Sequence, residues 1–184
     1  MINPWIPWGG LVLAASTMVY SLMARLAVAM RIRASARPLR RMPPVTIFKP
    51  LCGAEPETYE CLRSFCDQDF PDFQVIFGVA DSSDPVLPIV ERLKREFPQR
   101  EIEIVIDRRQ HGNSRKVSNL INMMPFARHE FFVISDSDVR VGRDYLSRVV
   151  APLISTDVGI VTCLYRGVPR PGLWSLLGSQ FINE

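Results

Sequence analysis

The chain has 184 residues and a formal net charge of +3, which suits one α/β domain with a short appendage and argues against a second full domain. The positive excess lies in Arg25, Arg31, Arg33, Arg37, Arg40 and Arg41, ahead of the globular region, so the nearly neutral remainder gives no reason to expect a nucleic-acid partner. Cys52, Cys61, Cys66 and Cys163 show neither C-x-x-C spacing nor histidines at zinc-ligand spacing, and they read as buried free thiols compatible with a reducing compartment.

From Ile2 to Ala24 there is no charged residue, and a helix of about 20 such residues crosses a hydrocarbon core. Residues 1–30 are therefore predicted to form a transmembrane anchor, with Trp5 and Trp8 near one interface and Tyr20 and Arg25 towards the other. The arginines after the span predict that its C-terminal side is cytoplasmic, at the inner (plasma) membrane. A cleaved signal peptide carries its positive charge before the apolar run, whereas here the charge follows it. Residues 31–44, rich in arginine and broken by Pro38, Pro43 and Pro44, read as a linker leaving the membrane surface.

The globular part is expected over residues 45–168. Short apolar runs at Val45–Phe48, Phe73–Val79, Ile102–Ile106, Phe131–Ser135 and Val158–Cys163 read as strands. Helices are predicted between them, over Pro56–Cys66, Pro85–Phe97, Lys116–Met124 and Asp144–Ile154. Such alternation implies a mostly parallel sheet covered by helices. Asp84, just before Pro85, suits an N-cap, since its carboxylate accepts orphan amide protons and Pro85 has none to leave unpaired. The last stretch, residues 169–184, is amphipathic and reads equally as an interfacial helix, part of an acceptor groove, or a core helix.

In an open α/β sheet, ligands lie beyond the carboxyl ends of the strands, so the acids after each apolar run are the first candidates. Asp136 and Asp138 follow the fourth run, and if extended geometry continues, their side chains share one side. Two such carboxylates suit Mg²⁺ or Mn²⁺, whose remaining positions go to water and diphosphate oxygens; a solvated acidic loop is the plain alternative. Asp81 ends the second run and suits hydrogen bonds from a nucleoside, with a turn acid as its alternative. The loop His111-Gly112-Asn113-Ser114-Arg115-Lys116 opens a helix where Lys116 or Arg115 can meet phosphate, although a solvated basic loop fits as well. His111 and His129 lack the Ser, Cys or acid partners that define a nucleophile system and are expected at the surface.

Four blocks in order carry a resemblance: Lys49-Pro50-Leu51-Cys52-Gly53, Val79 through Pro85, Gly112 through Leu120, and Ser135 through Val141. Together they resemble the ceramide glucosyltransferase family, and within it the bacterial glycosyltransferases associated with hopanoid biosynthesis. The resemblance implies a GT-A (Rossmann-like) fold, a UDP-sugar donor, inverting transfer, and a lipid acceptor of hopanoid or ceramide type. It assigns Asp81, Lys116, Asn119 and Asp136 to the donor and Asp136 with Asp138 to the metal. Ceramide-type members can carry glycine where this chain has Asp138, so both acids here favour ordinary metal binding. The family's general base, its Q/R-x-x-R-W motif and its further membrane helices do not occur among these residues. The sequence thus predicts no catalytic base in this chain, and an N-terminal portion of a longer enzyme. Glu184 is a poor stand-in for that base.

Three functions compete: the donor-binding part of a lipid glycosyltransferase, a membrane-tethered module that binds a nucleotide sugar without turnover, and an aspartate-nucleophile phosphatase. The third requires D-x-D after the first strand, whereas here it follows the fourth. Neither the sugar, glucose or N-acetylglucosamine, nor an oligomeric state is legible.

Overall fold

The computed structural model describes residues 5–33, 42–155 and 158–183. The chain divides into two units, residues 1–37 and 38–184. In the first, helix α1 spans Trp5–Arg33. Its segment Trp8–Met30 is 23 residues long with a mean hydropathy of 1.7, about 34 Å at 1.5 Å per residue and long enough to cross a hydrocarbon core. The hydroxyls of Ser16 and Thr17 donate to the Val12 and Ala14 carbonyls at 2.7 and 2.9 Å, so neither leaves an unsatisfied donor in an apolar surrounding. The predicted linker falls largely on residues 34–41, outside the described residues, as does Glu184.

The second unit runs β1 Val45–Pro50, α2 Thr58–Cys66, β2 Phe73–Val79, α3 Leu87–Glu96, β3 Glu101–Ile106, α4 Arg115–Met123, β4 Phe131–Ile134, α5 Tyr145–Ser155 and α6 Leu173–Asn183. The strands form one parallel sheet in the order β3-β2-β1-β4. This is the predicted βα alternation. Alternate residues point to opposite faces of a strand, and both faces here are covered. Ile47, Val75 and Phe77 join Leu62, Phe65, Leu93 and Leu146 from the helices on one side. Phe48, Ile76 and Val105 meet Met123 of α4 on the other. A strand buried on both faces reads as a continuous apolar run, which is why β2 is buried at every position.

Two details differ from expectation. Val158–Cys163 forms no strand, and Val158 and Ile160 are exposed. A strand needs a ladder partner, and among the described residues this apolar run has none. Asp84 is also not the N-cap of α3: that position is Val86, without a side-chain cap. Instead Asp84 accepts from the Val86 amide at 2.9 Å and, through both oxygens, from the Gly53 amide at 3.1 and 3.0 Å. Gly53 adopts φ 75°, a left-handed turn that favours glycine, and Asp84 thereby joins that turn to the residues leading into α3.

Candidate functional site

The chain passes from β1 outward through β2 to β3 and then returns to the other side of β1 as β4. That reversal opens a crevice at the carboxyl ends of β1 and β4, the place where such sheets bind ligands. Leu51-Cys52-Gly53 leave β1 there, and Ser135-Asp136-Ser137-Asp138 leave β4.

Extended geometry does not continue through the acidic pair, because Ser137 and Asp138 form a turn. The Val139 amide donates to the Asp136 carbonyl at 3.5 Å. The two carboxylates consequently meet different neighbours. Asp136 Oδ1 lies 2.5 Å from Lys116 Nζ, with both side chains about half exposed. Asp138 lines a small cavity of about 40 Å³ with Glu55, Glu57, Thr58, Cys61 and Arg170. Arg170 is held there by Glu57 at 3.2 Å and Glu55 at 3.7 Å. Among the described residues, no group of three or more metal-ligating side chains occurs.

Beneath the turn lies Lys49, a residue to which sequence reasoning gave no role. It is fully buried. Its ammonium donates to Ser135 Oγ at 3.2 Å and to the Asp136 carbonyl, and it stands 3.8 Å above the Phe65 ring. Burial pulls its pKa down to about 7, opposed by Cys61, Asp136 and Asp138. The sequence signal was available: a lysine inside the mostly apolar strand Val-Thr-Ile-Phe-Lys-Pro is costly without partners. Next to it, Cys61 of α2 donates its thiol to the Asp138 carbonyl at 3.4 Å. Burial raises the Cys61 pKa, keeping the group a thiol.

The other predicted residues are placed around this centre. Ser114 caps α4 by accepting from the Val117 amide, which puts Lys116 in the helix's first turn. Asn119 is buried, and its amide nitrogen donates to the Gly78 carbonyl at 2.8 Å, pinning α4 to β2. Asp81 accepts from the amide and hydroxyl of Ser83 at 2.9 and 2.8 Å, with Arg108 at 3.5 Å. The Ser83 amide is the main cause holding the Asp81 carboxyl below the usual range. His111 is more engaged than expected: its amide donates to Ser118 Oγ at 3.0 Å and its ring Nε2 lies 2.8 Å from Asn122 Oδ1, so it ties down the loop before α4. The His129 amide donates to Thr46 at the amino end of the sheet, away from the acidic pair. Of the thiols, Cys61 and Cys66 are buried as expected, whereas Cys52 and Cys163 are exposed.

Residues 10–184 match the family model described as glycosyl transferase family 21. The chain belongs to that family. It is 32% identical over 166 residues to the ceramide glucosyltransferase of Komagataella phaffii, covering 83% of this chain and 33% of that protein. It is 24% identical over 127 residues to ceramide glucosyltransferase 1 of Caenorhabditis elegans, covering 69% of this chain and 27% of the relative. The family 21 chain thus spans about a third or less of the length of these curated relatives. Among solved structures it resembles a mannosyltransferase from Pyrobaculum calidifontis in complex with GDP-Man and Mn²⁺, with a TM-score of 0.58 and 24% identity. That likeness covers 88% of this chain and 46% of the other, and it shows the GT-A fold predicted from the motif blocks.

Proposed function

We propose that this family 21 chain binds a UDP-sugar together with Mg²⁺ or Mn²⁺ as the donor part of a membrane-bound inverting glycosyltransferase that passes the sugar to a lipid acceptor of hopanoid or ceramide type. The observation carrying this reading is the Lys116–Asp136 pair at the crevice between β1 and β4. An exposed carboxylate at a ligand-binding sheet end already attracts one cation there. The donor set fits a hard divalent ion: Asp136 and Asp138 would supply oxygen ligands, and one or two carboxylates plus substrate phosphates satisfy such an ion without an all-protein cage. When bound, the metal would neutralise charge on the departing diphosphate.

The chain's own residues divide the remaining work. Asp136 and Asp138 would hold the ion, and Lys116 would exchange Asp136 for a diphosphate oxygen near the positive end of α4. Asn119 keeps that helix against β2, so its part is to position Lys116. Asp81 would accept from the uracil ring or ribose hydroxyls. Helix α1 supplies a single span that keeps the domain beside a lipid acceptor, with the arginines after it favouring a cytoplasmic domain at the inner membrane. The names of the relatives support the lipid acceptor, and the neighbour's GDP-Man and Mn²⁺ support a metal-bound nucleotide sugar.

The test is calorimetric titration of UDP, with GDP as comparison, into the detergent-solubilised chain with and without Mn²⁺. Metal-dependent binding of UDP, abolished in D136A/D138A, is the expected result. No binding by the folded wild type would overturn the proposal, and turnover of a UDP-sugar by the intact chain would separate an enzyme from a binding module.

A further inference from the structure

The acidic turn is held from below in an unusual way. Each acid has its backbone carbonyl tied by a buried donor from a different element. Lys49 of β1 donates to the Asp136 carbonyl and to Ser135 Oγ at 3.2 Å. Cys61 of α2 donates to the Asp138 carbonyl at 3.4 Å. Lys49 is 0% exposed, and Cys61, 5% exposed, reaches only the wall of the cavity beside Asp138. The turn between these carbonyls is short, with Ser135 bonded back to β1 through its amide and the Phe48 carbonyl at 3.2 Å. With both carbonyls tied inward, the two acids keep exposed side chains, Asp136 towards Lys116 and Asp138 on the cavity it shares with Glu55 and Glu57.

Core packing alone gives no reason for a lysine at this position. Its strand neighbours on the same face, Val45 and Ile47, are apolar and fully buried, and an aliphatic residue over Phe65 would avoid the desolvation of an ammonium. What an aliphatic residue lacks is a donor long enough to reach from the middle of the sheet to the backbone of the next strand's end. We propose that Lys49 is the positioning residue of the acidic turn, with Cys61 as a weaker second tether, and that together they pre-set Asp136 and Asp138 for a metal–diphosphate ligand. The inference rests on the donor-site reading above. Groups that orient metal-binding side chains typically change affinity roughly 10 to 100-fold when removed, and a thiol is the weaker of these donors.

The experiment compares wild type, K49M, K49R and C61A as full chains in detergent, titrating UDP with and without Mn²⁺ and recording thermal unfolding of each. Methionine nearly matches the volume of lysine while lacking its terminal donor. K49M is expected to weaken Mn²⁺-dependent UDP binding about tenfold or more while leaving metal-free UDP binding unchanged; K49R restores part of the loss, and C61A loses about threefold. A packing role for Lys49 would lower the unfolding temperature but leave the ratio of affinities with and without Mn²⁺ unmoved, and that result would overturn the inference. If K49M does not unfold cooperatively, C61A and S135A decide, since unchanged Mn²⁺ dependence in both is equally fatal. Wild-type chain that fails to bind, or binding indifferent to D136A/D138A, sinks the donor-site reading itself; intact wild-type binding with an unaffected K49M sinks the tether alone.

Discussion

The ends of β2 and β4 begin from the same pattern, an apolar run closed by an aspartate, yet they hold their acids in opposite ways. Asp81 spends its carboxylate on its own loop, accepting twice from Ser83 with Arg108 alongside. Asp136 is anchored through its backbone, by Lys49 beneath it, and its carboxylate meets only the half-exposed Lys116 among the polar contacts of the described residues. The strands that carry them differ too: β2 is buried throughout, while Phe132 and Ile134 of β4 are 42% and 57% exposed. A side chain that builds its own turn is ordered but partly committed. An acid whose backbone is held from elsewhere keeps its oxygens available, the arrangement that suits an exchangeable cation.

The largest way to break this comparison is Gly78→Ala. A methyl there would sit 2.3 Å from both Asn119 Oδ1 and Met123 Sδ, so these two side chains must shift and the Asn119 bond that holds α4 to β2 is disturbed. Overpacking of this kind costs typically about 1 to 3 kcal/mol, and calorimetric unfolding should show a lower midpoint together with weaker binding at the β4 end, because Lys116 rides on α4. A sharper contrast comes from D81A. It should weaken UDP binding about tenfold, worth roughly 1.4 kcal/mol, equally with and without Mn²⁺, whereas D136A should remove the Mn²⁺ dependence itself; equal loss of that dependence in both would erase the distinction. The smallest effect belongs to a control touching neither strand end. Glu96 is held below the ordinary carboxylate value chiefly by the Tyr59 hydroxyl at 2.5 Å, then by Arg63 at 2.8 Å. A depressed carboxyl gives stability that is present above its unfolded pKa and lost as pH falls through its lower folded value. E96Q should therefore flatten the fall of stability below the ordinary value of 4.5, read by thermal melts across acid pH, while leaving UDP binding unchanged.

The strands and helices of the sheet were legible because buried parallel strands are continuous apolar runs and the helices carry amphipathic spacing. The start of α4 at Arg115 and Lys116 was legible from the glycine-containing loop before it, although the Ser114 cap was not. What local pattern could not convey was partnership across the chain. Val158–Cys163 has the composition of a strand, but its ladder partner is a tertiary fact. Asp84 looks like a simple cap, but its carboxylate serves the Gly53 amide, 31 positions away, as well as the Val86 amide. Lys49 reads as a break in an apolar run, and its meaning emerges only when β4 ends beside it, 86 positions later at Ser135. Extended geometry at Asp136–Asp138 failed for a related reason: with their carbonyls tied to two different elements, the residues turn.

The most direct test of the central claim is electron paramagnetic resonance of Mn²⁺ in the presence of UDP, which reads the free ion's six-line signal. The account predicts that the wild-type chain depletes this signal beyond what UDP alone achieves, and that D136N/D138N, which preserves size while removing both charges, loses that excess. Equal depletion by the wild type and the double variant would contradict it and move the metal, if one binds, away from the end of β4.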